Sequence, residues 1–235
     1  MDLLSNLLED FKLFSMKKQL LDYSKISQLF VFPQKEDYVD NVKGVQKYLD
    51  DVLPNVGEML QPFTDVISSV SKYELEDLYL RTFEVQSITT LDIGYVVFGD
   101  DYKRGELLVN LNKEHQTYNI DCEGELADNL SNILKLINVL EDSLLLNDLI
   151  NKLVGPALTK MIQGFGDDQL LAKEKVYIKH HKTLLDKHES FTIYKHALFA
   201  LYKALDHDFT IKIQEEPQRS GGFLSSIKQE IKLES

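Results

Sequence analysis

The chain has 235 residues and a mass of 27.1 kDa, enough for one or two domains and for a core that needs no disulfide or metal staple. Lysine and arginine number 26 against 38 aspartates and glutamates, and the net charge of −12 makes the chain a poor phosphate-backbone binder, because it would repel the polyanion. Hydrophobic residues at 43% exclude a disordered composition, a longest apolar run of Ile93–Phe98 excludes a bilayer span, and a single cysteine, Cys122, excludes an internal disulfide.

The N-terminus is acidic rather than basic and is unlike a secretory signal. Leu3, Leu4, Leu7, Leu8, Phe11 and Phe14 share a helical face behind Asp2 as the cap. Ile26, Leu29 and Phe30 predict a second helix ending near Phe32, before Pro33. Tyr38, Val42, Val45, Leu49 and Val52 predict a third, stopped by Pro54. Met59, Leu60, Phe63, Val66, Ile67 and Val70 predict a fourth, with Pro62 either in its first turn or at a kink. Leu75, Leu78, Tyr79 and Phe83 form a fifth, short stripe.

Ile88 to Phe98 is rich in β-branched residues, but no partner strand with hairpin punctuation follows, and the segment is read as a buried helix. Phe98–Gly105 reads as a turn with Asp100 or Asp101 as the N-cap of a helix through Leu107, Leu108 and Leu111. The strongest periodicity, Leu126, Leu130, Ile133, Leu134, Ile137 and Leu140, predicts a helix over about 125–141. Leu145, Leu149, Ile150 and Leu153 begin another, interrupted at Gly155-Pro156 and resumed by Ala157, Leu158, Met161 and Ile162. Phe191, Tyr194, Leu198, Leu201, Tyr202 and Leu205 predict the last long helix, and Phe209, Ile211 and Ile213 alternate as in an extended segment. Pro217–Gly222 reads as a linker to a short amphipathic tail. The expectation is an all-α chain, a single compact bundle of about nine or ten helices over 1–216, with a flexible tail over 217–235.

Catalytic signatures are sparse. Gly94 and Gly99 have the spacing of half a phosphate loop, but Asp100 and Asp101 follow where a lysine and a hydroxyl are needed. No glutamate has a histidine three residues later, as a di-iron bundle requires. His181 and His188, with Asp186, are a weak metal signal, set against a solvated face among Lys173, Lys175, Lys179, Lys182 and Lys187. Cys122 stands between Asp121 and Glu123, which raise rather than lower a thiol pKa.

Charge is more informative. Residues 121–151 hold seven acids against one base, Lys135, and residues 36–84 hold eleven against four. Acidic faces beside aromatic residues suit a partner both basic and apolar, with plain solubility as the alternative reading.

Four segments carry a resemblance: Leu29-Phe30-Val31-Phe32-Pro33, Tyr79-Leu80-Arg81-Thr82-Phe83-Glu84, Phe98-Gly99-Asp100 with Lys103-Arg104-Gly105, and Glu125-Leu126-Ala127-Asp128-Asn129-Leu130. In this order, over most of residues 20–165, they resemble the redox-enzyme maturation chaperones, the family of the nitrate reductase delta subunit and the twin-arginine signal chaperones (NarJ/TorD type). Ala127 and Ser131 stand where that family often has prolines, and residues 168–190 are longer and more basic than its typical members.

The resemblance implies a cytoplasmic chaperone with no enzymatic activity and no cofactor of its own. Such a protein binds the catalytic subunit of a molybdopterin-containing oxidoreductase (dimethyl sulfoxide reductase superfamily) through its N-terminal or twin-arginine signal peptide. It assists molybdenum-cofactor insertion before export or membrane assembly. It implies no nucleic-acid partner and no stable membrane insertion, and the chain is expected to be a monomer or dimer. The peptide-binding edge is expected at Tyr79, Phe83, Glu84, Tyr95, Asp100, Arg104, Glu125 and Asp128, the carboxylates for the basic end and the aromatics for the apolar turn. Ordinary core is the alternative role for the aromatics, helix capping for Asp100, and pairing with a nearby acid for Arg104. The alternatives in function are a metal- or nucleotide-dependent helical enzyme and a generic helical peptide-binding adaptor.

Overall fold

The computed structural model describes residues 20–166, 170 and 192–211. The N-terminal stripe Leu3–Phe14, the histidine-bearing basic stretch 168–190 apart from Leu170, Ile213 and the tail 217–235 lie outside the described residues.

Among the described residues the chain is all-α. α1 (Tyr23–Ile26) runs into a 3₁₀ turn, Ser27–Phe30. There follow α2 (Tyr38–Val52), α3 (Pro54–Ser69), α4 (Lys72–Phe83), α5 (Ile93–Phe98) and α6 (Tyr102–Thr117). Then come α7 (Leu130–Val139), α8 (Ser143–Leu149), α9 (Gly155–Gln163) and α10 (Tyr194–Phe209).

The prolines act by position. Pro54 stops α2 and also opens α3, where its missing N–H costs nothing. Pro62 lies in the interior of α3, and the helix continues through it. The carbonyl it leaves unpaired belongs to Glu58, on an exposed face where water can serve it. The interruption expected at Gly155-Pro156 falls one turn earlier. One π turn, Ile150–Val154, joins α8 to α9, with the Gly155 N–H donating to the Ile150 carbonyl. The wider turn accommodates a ring that a tight helix would exclude.

α3 packs against both α2 and α10, and α9 packs against α10 and α5. α1 and the 3₁₀ turn lie on α7. The start of α1 is pinned from three sides: Tyr23 N–H donates to Asn138 Oδ1 at 3.0 Å, the Tyr23 hydroxyl to Asp208 at 2.9 Å, and Asp22 N–H to the Tyr48 hydroxyl at 2.8 Å. Between α2 and α3 the buried Gln46 donates to Asp50 and to the Gly57 carbonyl and accepts from Thr64. A buried amide so fully bonded costs little and fixes the register of the two helices.

The centre is aromatic. The Tyr194 ring stands 4.8 Å from Phe83, 5.0 Å from Phe63 and 6.1 Å from Tyr79, all edge-on, and its hydroxyl is 3.1 Å from that of Tyr38. Burial pushes the phenols of Tyr79 and Tyr194 well above their ordinary pKa. No described helix is long and apolar enough to cross a membrane.

Two sequence expectations are corrected here. Ile88–Phe98 is not one buried helix: only Ile93–Phe98 is helical, and Asp92 pairs with Asn129 in an isolated antiparallel bridge. The helix expected over 125–141 begins at Leu130, because Asn129 caps it by accepting the Ser131 N–H at 3.0 Å. Leu126, counted in the stripe, is 47% exposed.

Candidate functional site

α4 starts on a reciprocal cap: the Ser71 hydroxyl accepts the Glu74 N–H, and the Glu74 carboxylate accepts the Ser71 N–H. α4 ends at Phe83, and the chain turns at Gln86, with φ of 54°. The Thr89 N–H donating to the Thr82 carbonyl at 3.1 Å then folds the connection back. Two further backbone bonds, Ile93 N–H to Asp128 O at 3.0 Å and Leu130 N–H to Leu91 O at 2.8 Å, set the starts of α5 and α7 side by side.

The segment before α7 hangs from its neighbours by side chains. His115 on α6 is buried with Nε2 3.0 Å from the Ala127 carbonyl, and Asn132 on α7 donates to the carbonyls of Leu126 and Cys122. The turn itself uses left-handed residues, Glu123 at φ 52° and Gly124 at φ 89°.

These elements enclose a cleft of about 430 Å³. Its walls include Phe83 and Glu84 from the end of α4, Asp92 and Tyr95 from α5 and its cap, Arg104 from the first turn of α6, and Glu125 from the hanging segment. Arg104 is the hub. Its Nε donates to Asp128 Oδ2 at 2.9 Å and its Nη2 to Asp92 Oδ2 at 2.8 Å, while the guanidinium carbon lies 5.3 Å from the Tyr95 ring centre. Gly94 makes this approach possible: a Cβ there would stand 2.5 Å from Asp128 Oδ2 and 2.9 Å from Leu107 Cδ2.

The cleft has more negative than positive charge. Glu84, Asp92 and Glu125 face one guanidinium, and that guanidinium also serves Asp128, which is fully buried. Partial burial, then the nearby Glu84 and Asp92, raise the Glu125 carboxyl above the ordinary carboxylate pKa. Burial and then Asp128 raise Asp92, against the pull of Arg104. Asp128, through its hydrogen bond, is the largest influence holding the Arg104 proton more tightly.

Of the eight residues expected at the binding edge, Phe83, Glu84, Tyr95, Arg104 and Glu125 line this cleft. The other three do not. Tyr79 is 3% exposed, packed among Phe32, Phe83 and Tyr194 with its hydroxyl donating to the Phe30 carbonyl, and so belongs to the core. Asp128 lies behind Arg104 and is consumed by it, so it holds the wall rather than meeting a ligand. Asp100 is exposed on the turn before α6 and is not its cap; Asp101 is, accepting the Lys103 N–H at 2.9 Å. Arg104 pairs with nearby acids, the alternative named for it.

Asp92, Leu126 and Asn129 also line the cleft and were not expected there. Asp92 carried one usable signal, an acid immediately before a short apolar stripe, where helices are capped. Its bond to Arg104 depends on the fold.

Elsewhere, burial first and then Asp121 raise the Cys122 thiol, with Lys135 opposing. Among the described residues no group of three or more histidines, cysteines, aspartates or glutamates is placed to hold a metal ion. His181 and His188 lie outside the described residues. Neither protein-family models nor curated proteins match the chain.

Proposed function

We propose that this protein is a non-catalytic binding protein that captures a basic, partly apolar peptide segment in the cleft between α4, α5, α6 and the start of α7. Its proposed role is that of a maturation chaperone for the catalytic subunit of a molybdopterin-containing oxidoreductase in the cytoplasm. The observation that carries the binding site is the lining itself. Glu84, Asp92 and Glu125 surround a space whose walls also offer Phe83, Tyr95 and Leu126. Carboxylates in such a setting suit a guanidinium followed by an apolar turn.

The resemblance adds support through its placement. The segments 79–84, 98–105 and 125–130 each contribute a wall residue, Phe83, Arg104 and Glu125 among them. The segment 29–33 buttresses them from behind, with Phe32 stacked edge-on against Tyr79 at 5.2 Å. The family, its client and the cofactor-insertion role come from that resemblance alone.

The test is calorimetric titration of the full chain with a synthetic peptide bearing two adjacent arginines and a following apolar stretch. Saturable binding that is lost when both arginines become glutamine supports the proposal. No binding, or binding indifferent to the arginines, overturns it. Purification from the native host with identification of the associated protein tests the client.

A further inference from the structure

Glu84 and Glu125 have no ion-pair partner among the described residues. Among the described residues the Glu125 carboxylate accepts only from the Asn129 side-chain amide, at 3.4 Å. The one guanidinium on the wall, Arg104, is already divided between Asp92 and Asp128. The cleft therefore gathers carboxylates faster than it gathers countercharge.

Glu84 comes from the end of α4, with the buried Tyr79 phenol beneath it. Asp92 comes from the cap of α5, Arg104 from α6, and Asn129 from the cap of α7, with Asp128 behind. Of the charged side chains that line the cleft with Glu125, Glu84 and Asp92 are negative, and the positive Arg104 is already bonded to Asp92 and Asp128; partial burial adds to the effect of the two acids on the Glu125 carboxyl. In such a place a carboxyl keeps its proton longer than usual.

We infer that a cationic side chain entering the cleft pairs with Glu125 as its carboxylate and, at acidic pH, displaces a proton from it, so that capture and proton release are one event. The inference rests on the binding role proposed above and adds its regulation. The balance is simple: the neutral carboxylic acid of Glu125 loses H⁺ to solvent, and the resulting carboxylate pairs with the incoming guanidinium or ammonium. No bond of the ligand breaks. The sign follows from linkage. A ligand that favours the ionised form binds better as pH rises, until Glu125 is already ionised in the free chain, where the dependence stops. Acidification would then release the ligand, and an apolar peptide of the same length would show no such effect.

The experiment uses the full chain and the two-arginine peptide in calorimetric titrations between pH 5 and pH 7.5, in pairs of buffers that differ in ionisation enthalpy. Affinity is expected to rise with pH by up to about tenfold per unit in the acidic part of the range. The observed heat is expected to depend on the buffer, reporting net proton release. Glu125→Gln, which keeps the acceptor for Asn129, is expected to bind with little pH dependence and no buffer-dependent heat. Carboxyl-carbon NMR of the free chain provides a readout that needs no ligand, with Glu125 titrating above the exposed glutamates. Binding that is independent of pH and of buffer overturns the inference and leaves the binding role standing. An ordinary titration of Glu125 overturns it as well, and absence of binding at every pH overturns both.

Discussion

Arg104 closes over Asp128, a carboxylate with no exposed surface, presenting Nε to Oδ2 at 2.9 Å and Nη2 to Oδ1 at 3.3 Å. The two residues begin different helices, α6 and the segment leading into α7, so the pair ties the far wall of the cleft to its back. A buried carboxylate is tolerable only while it is held. Arg104→Met should therefore lower stability by about 3–5 kcal/mol, because it strands Asp128. The double variant Arg104→Met with Asp128→Leu should lose less than Arg104→Met alone. Urea unfolding followed by circular dichroism measures both. Equal losses would mean that the pair contributes no more than its packing.

Gly94 and Gly44 separate two roles of glycine in a helix. A methyl at position 94 would press on the buried Asp128 carboxylate and on the half-buried Leu107. A methyl at position 44, inside α2, would meet nothing within 4 Å. Gly94→Ala should cost about 1–3 kcal/mol through overpacking. Gly44→Ala should gain about 0.5–1 kcal/mol from helix propensity and the reduced freedom of the unfolded chain. Thermal melts of the two variants should shift in opposite directions.

The periodic helices were legible in the sequence because their faces are decided locally. Tyr38, Val42, Val45 and Leu49 are buried as their spacing requires, and so are Leu60, Phe63 and Ile67. The cleft was half legible. Glu84 and Glu125 stand out as acids beside aromatic or aliphatic stripes, and the wall they form could be expected. Asp128 could not be distinguished from them, because its burial is decided by Arg104, 24 positions away in the chain. Leu126 continues the α7 stripe at the right interval, but capping by Asn129 overrides it. A spacing argument counts hydrophobic residues and is blind to an amide that ends the helix.

A charge reversal at the cleft mouth tests the lining against the general field of an acidic protein. Glu84 lines the cleft and is exposed, whereas Asp100 is exposed but stands outside the lining. Glu84→Lys should weaken binding of the two-arginine peptide by roughly 1–3 kcal/mol, and Asp100→Lys should leave it within measurement error at moderate salt. Asp128→Lys should instead unfold the chain, by placing an ammonium against Arg104 in the interior. Titration calorimetry, with circular dichroism as the check on folding, distinguishes the three. Equal weakening by Glu84→Lys and Asp100→Lys would show that net charge, not the cleft, draws the peptide.

The aromatic centre fixes how the fold responds to alkali. Tyr23, Tyr38, Tyr79 and Tyr194 are each at most 3% exposed, and burial is the largest cause raising all four phenols above their ordinary pKa. In the unfolded chain these hydroxyls ionise near pH 10. The folded chain keeps its protons there, so above that pH the unfolded state binds fewer protons than the native one. Stability must then fall as pH rises, by up to about 1.4 kcal/mol per pH unit for each phenol that remains protonated in the fold. Below pH 10 both states hold the proton and the phenols contribute no slope. The expected result is a flat stability profile through neutral pH and a steep fall beyond 10. The phenolate absorbance of the buried tyrosines should appear together with loss of the helical signal rather than before it. Tyr38→Phe combined with Tyr194→Phe removes the 3.1 Å contact between the two hydroxyls, the bond from the Tyr38 hydroxyl to the Leu29 carbonyl at 3.2 Å, and two of the four titrating groups. It should therefore lower stability at pH 7 and make the alkaline fall shallower. A fall just as steep in that double variant would place its origin outside the tyrosine cluster.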